Sequence, residues 1–61
     1  MKPEVQTRIL KYIDENFAEK VNQIIFQGHN CAWVEFFGGG GATVTLLPSG
    51  AIVAKERMED C

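Results

Sequence analysis

Long apolar stretches are missing from this 61-residue chain. No run approaches the roughly 20 consecutive apolar residues that a membrane-spanning helix needs. The opening Met1-Lys2-Pro3-Glu4 leads into an amphipathic pattern rather than the apolar core of a signal peptide. These absences predict a cytoplasmic protein with no membrane partner. Cysteine is almost as scarce: Cys31 sits inside an apolar run and Cys61 is the last residue. Two thiols without Cys-x2-Cys spacing make neither the dense disulfide framework of secreted miniproteins nor the usual structural zinc set, so both are read as free thiols. Glu59 and Asp60 beside Cys61 disfavour its thiolate, which argues against redox chemistry.

Positive charge is also in short supply. Six Lys and Arg against eight Asp and Glu leave a formal charge of -2. No general basic field is available to hold a phosphate backbone, so nucleic acid is an unfavoured partner. His29 is the only histidine. A hydrolytic triad needs a nucleophile and an orienting carboxylate around it, and spacing assigns neither. Zinc bound by His29, Cys31 and Cys61 would lack the paired-cysteine signature. His29 between Gly28 and Asn30 reads instead as a turn residue. The expectation is therefore no catalytic residue, no metal, no cofactor and no small-molecule substrate. Ligand pockets typically occupy about 300–1,000 Å³, which a chain this short can hardly enclose.

The chain nonetheless has the composition of a folded protein, being 46% hydrophobic and 23% charged, too apolar for intrinsic disorder. Pro3 suits the first turn of a helix, and Glu4 complements the positive end of its dipole. Val5, Ile9, Tyr12, Ile13, Phe17 and Val21 then form a helical stripe, with Lys11, Asp14, Glu15 and Glu19 on the other side. Because Ile24 and Ile25 prolong that stripe while Ile24-Ile25-Phe26 is also rich in strand formers, the helix is expected to end within residues 19–23. Gly28-His29-Asn30 marks a turn. Residues 31–37 and 42–47 read as strands separated by Gly38, Gly39, Gly40 and Gly41, and Pro48-Ser49-Gly50 turns the chain into a last strand over 51–56. The fold class expected is α+β: a single N-terminal amphipathic helix packed on a three- or four-stranded antiparallel β-meander, αβββ or αββββ. One domain covers 1–61, with 57–61 a charged, frayed tail.

Alternation assigns the two faces of the sheet. Burying an unpaired carboxylate costs several kcal/mol, so Glu35 places its own face away from the helix. Ile9, Ile13 and Phe17 should then pack on Val34, Phe36, Val44, Leu46, Ile52 and Ala54, with Ala32 on the same face as Val34 and Phe36. The outer face should carry Trp33, Glu35, Phe37, Leu47, Val53, Lys55 and Arg57, with Thr43 and Thr45. Aromatic residues and Arg on an open apolar face resemble what protein interfaces select. These seven residues are the expected partner-binding set, with Gly38 to Gly41 as a flexible loop able to mould to a partner. The four glycines are not followed by Lys-Ser/Thr or a helix N-terminus, so they do not make a phosphate loop.

The function these features favour is a small non-enzymatic protein-interaction module, an adaptor, inhibitor or regulatory subunit. A domain of this size is marginally stable alone, which favours a protein partner, itself in a homodimer, or both. The alternative is single-stranded nucleic-acid binding on the sheet, with Trp33 and Phe37 stacking bases while Lys55 and Arg57 meet phosphates.

Overall fold

The computed structural model describes residues 2–57. The chain folds into one helix, α1 (Pro3–Phe17), followed by four strands, β1 (Val21–Gln27), β2 (Cys31–Phe36), β3 (Gly41–Leu46) and β4 (Ile52–Arg57). The strands are antiparallel and lie in the order β1-β2-β3-β4, so the architecture is αββββ.

Pro3 occupies the first turn of α1, where no intrahelical donor is lost. Lys2 caps that turn only through its carbonyl, which accepts from the Val5 and Gln6 amides at 3.0 and 3.2 Å. The helix stops at Phe17, earlier than the window 19–23 expected from the apolar stripe. The Lys20 N–H donates to the Phe17 carbonyl at 2.8 Å and turns the chain directly into β1. Val21, Ile24 and Ile25 prolonged the helical stripe only by coincidence of period: β-branched residues fit the pleated sheet better, and tertiary pairing with β2 decides the matter. The short strand around Ile24-Phe26 is thus a full strand of seven residues.

The core forms where α1 crosses the two central strands. Ile9, Ile13 and Phe17 are buried from the helix, and Ala32, Val34, Ala42 and Val44 from the sheet. The register explains the close fit. Ala32 opposes Val44, and Val34 opposes Ala42, so each cross-strand pair beneath the helix couples a small residue with a branched one. Ile9, Ile13 and Phe17 form one buried cluster with these pairs. Fully burying Ile9 contributes about 1.5–3 kcal/mol. Phe17 closes one end of the core, its ring centroid 5.4 Å from Phe36 and 6.2 Å from Tyr12, edge-on to the latter. Val21, Ile24, Phe26, Leu46, Ile52 and Ala54 fill the margins, half-buried.

Strand ends differ slightly from the sequence reading. Phe37 belongs to the β2–β3 turn and Leu47 lies just past β3. Residues beyond Arg57, including Cys61 and most of the charged tail over 57–61, lie outside the described residues.

Candidate interaction surface

Pairing across four strands sorts the outer face into rows. One row runs Gln23, Glu35, Gly41, Arg57; the next runs Ile25, Trp33, Thr43, Lys55; the third runs Gln27, Cys31, Thr45, Val53. Among the described residues no element packs on this face, since α1 covers the opposite one.

The first row has a gap, because Gly41 brings no side chain between Glu35 and Arg57. The Trp33 indole fills it. A Cβ at Gly41 would lie 2.5 Å from Trp33 Cζ2 and 2.7 Å from Cη2, and would also strike the Val34 carbonyl oxygen. Gly41 is itself buried. The ring thus lies against bare backbone, an aromatic side chain covering a strand glycine. The six-membered edge of the indole lies directly over Gly41.

At the same end of the sheet Trp33, Glu35, Phe37 and Arg57 line an open depression of about 430 Å³ with Asn22 and the glycine turn. Asn22 reaches it because the β1–β2 register shifts between Val21 and Gln23, a bulge that inserts one residue into β1. Phe37 is 66% exposed, the most exposed large apolar residue described. Its amide donates to the Lys20 carbonyl at 2.8 Å, which fixes the backbone beneath the ring.

The four glycines divide into two jobs. Gly38, Gly39 and Gly40 take φ values of 85°, 105° and 76°, a succession that residues with a Cβ rarely adopt. The turn is closed by the Phe36 amide donating to the Gly40 carbonyl at 3.1 Å. Gly41 has no such φ and is needed for space. Sequence reasoning placed all four in one flexible loop; Gly41 is instead the first residue of β3, and Gly38, Gly39 and Gly40 make the turn before it.

Of the seven residues expected on this surface, Trp33, Glu35, Phe37 and Arg57 come together. Lys55 and Val53 follow along β4 on the same face, both exposed. Leu47 stands apart: it lines a depression at the opposite end with Val5 and Arg8 of the helix and Pro48. Sequence reasoning missed Asn22, Gln23 and Ile25, which β1 adds to the face. The alternation of Gln23, Ile25 and Gln27 with Ile24 and Phe26 was the signal that could have found Gln23 and Ile25, whereas Asn22 reaches the face only through the bulge, which alternation does not show.

His29 is exposed in the β1–β2 turn. Cys31 is half-buried, and the Thr45 hydroxyl donates to its Sγ at 3.6 Å. Among the described residues no group of three or more His, Cys, Asp or Glu could hold a metal ion. No described helix is long and apolar enough to cross a membrane. Comparison with protein-family models, curated proteins and solved structures finds no match to the chain, so any functional reading rests on the residues themselves.

Proposed function

We propose that this chain is a small non-enzymatic protein-interaction module that binds a partner protein through the glycine-turn end of its outer sheet face. The observation that carries the proposal is the seating of Trp33 over Gly41, between Glu35 and Arg57, with Phe37 exposed beside it. Ordering a large side chain at an interface costs about 0.5–1.5 kcal/mol, and an anchor already held in place avoids much of that. Trp and Arg are also the residues most enriched at energetic hot spots. The neighbouring Glu35 and Arg57 offer one charge of each sign, which would fix the orientation of a partner rather than merely attract it.

Trp33 and Phe37 with Lys55 and Arg57 also suit base stacking and phosphate contact, but Glu35 between the two aromatics and the net charge of -2 weigh against that reading. The test uses the immobilised protein and a Trp33→Ala/Phe37→Ala variant whose folding is checked by circular dichroism. Proteins retained by the wild type, lost with the variant, and little affected between 50 and 300 mM salt would support the proposal. Binding of a labelled oligothymidylate that collapses over the same salt range would favour the nucleic-acid reading. Identical retention by both forms would refute a role for this surface.

A further inference from the structure

The two edges of the sheet are chemically unlike. β4 ends in Lys55, Glu56 and Arg57, the kind of charge run that blocks edge-to-edge pairing. β1, with the sequence Val-Asn-Gln-Ile-Ile-Phe-Gln, carries no charge over its seven residues. An uncharged edge of that length presents a row of unpaired backbone donors and acceptors, which is a template for another strand. Beside it Leu10, 42% exposed, lines a groove with Ile13, Ala18, Val21 and Ile24, and with Asp14 at its rim.

The register narrows what can pair there. The β1–β2 ladder is irregular only at Asn22, and from Gln23 to Gln27 it runs without a break. That regular segment is centred on Ile25. We propose that a second copy of this chain pairs antiparallel on β1 about a two-fold axis through Ile25, giving a continuous eight-stranded sheet with both helices on one face.

The occupant follows from self-complementarity, since an isologous contact requires every residue to meet its complement on an identical surface. With the axis at Ile25, this residue, itself 40% exposed, meets its own copy on the outer face. Gln23 meets Gln27 on either side, and two side-chain amides can exchange hydrogen bonds. On the inner face Ile24 meets Phe26, an aliphatic–aromatic pair of the kind that stabilises sheets. Both are only half-buried within one chain. Moving the axis to Ile24 would still set Ile24 on its own copy, but would put Gln23 against Ile25 and the bulged Asn22 against Phe26, so on both sides of the axis apolar would face amide. Of the residues lining the outer-face depression only Asn22 belongs to β1, and the inference does not depend on the function proposed for that depression.

Sedimentation equilibrium across micromolar concentrations tests the inference, with circular dichroism to confirm folding. The wild type should have the mass of two 6.8 kDa chains. Ile25→Lys places two like charges on the axis and should raise the dimer dissociation constant at least about tenfold. A pair of double variants reads the register even if Ile25→Lys fails to fold. Gln23→Lys with Gln27→Lys should weaken the dimer, because like charges would face each other across the axis. Gln23→Lys with Gln27→Glu should retain it. Within one strand these positions are about 13 Å apart, so the contrast reports on pairing between chains. Trp33→Ala/Phe37→Ala should leave the dimer intact. A wild type that stays a single chain at several hundred micromolar would overturn the inference. So would a dimer indifferent to all three β1 variants, or one lost through Trp33→Ala/Phe37→Ala while the chain remains folded.

Discussion

Replacing Gly41 by alanine asks whether the seating of Trp33 on bare backbone is a real constraint. The backbone of Gly41 lies outside the positive-φ region, so alanine meets no torsional penalty there. Alanine would even gain about 0.4–1 kcal/mol by restricting the unfolded chain. Against this stands the collision of the new methyl with Trp33 Cζ2 and Cη2 and with the carbonyl oxygen of Val34. The indole can swing away only by exposing apolar surface, and the carbonyl belongs to a central strand that cannot move without straining its ladder. Overpacking of this kind costs about 1–3 kcal/mol, so a net loss of about 1–2 kcal/mol is expected. For a domain of this size each kcal/mol lowers Tm by about 4–8 °C. Thermal unfolding followed by circular dichroism measures the loss. Trp33 is the only tryptophan, so its emission, expected to shift to the red, reports on the displaced ring. In a Trp33→Ala background the same substitution should cost less, because only the carbonyl still obstructs the methyl, and the cycle isolates the contribution of the ring. Gly41→Ala with wild-type stability and unchanged emission would refute the reasoning.

Two further substitutions probe the frame that holds the surface. Ile9→Ala empties a completely buried site where the helix crosses the sheet. It should cost about 2–5 kcal/mol, enough to leave much of a small domain unfolded at 25 °C by far-ultraviolet circular dichroism. Asn30 ties the β1–β2 turn to the end of β3: its Nδ2 donates to the Leu46 carbonyl at 3.1 Å, while its own carbonyl accepts from the Leu46 amide at 2.8 Å. Asn30→Ala removes only the side-chain bond and should cost about 1 kcal/mol in urea titration, with the slope unchanged.

The helix and the assignment of the sheet's faces were legible because each rested on a strong physical preference. The stripe through Ile9, Ile13 and Phe17 has one period only, and the cost of burying Glu35 oriented β2 and, through it, its neighbours. The start of β1 was less legible because Val21, Ile24 and Ile25 satisfy two periods at once, and pairing with β2, a long-range contact, chooses between them. The glycine run was the least legible. Glycine permits both a left-handed turn and a close approach, and composition alone cannot say that Gly38, Gly39 and Gly40 serve the first and Gly41 the second. The splitting of Leu47 from Trp33 was hidden for a related reason: a residue just past a strand end is no longer bound by the alternation of the strand.

The bulge at Asn22 links the two surfaces of the protein. An extra residue there sends one side chain to the depression beside Trp33 and, by ending the regular ladder, leaves Gln23 to Gln27 as the segment free for symmetric pairing. If two copies join on that segment, the second outer row becomes palindromic: Lys55, Thr43, Trp33, Ile25, then the same residues in reverse. The two Trp33 anchors would stand three strand spacings apart, about 14 Å, on one side of a continuous sheet. The glycine turns would fall at opposite ends, because the axis reverses strand direction. A compact partner using one depression would therefore bind twice per dimer, independently. A partner reaching both anchors would have to be elongated along the row or share its two-fold symmetry, and its affinity would then depend on the integrity of β1 as well as on Trp33.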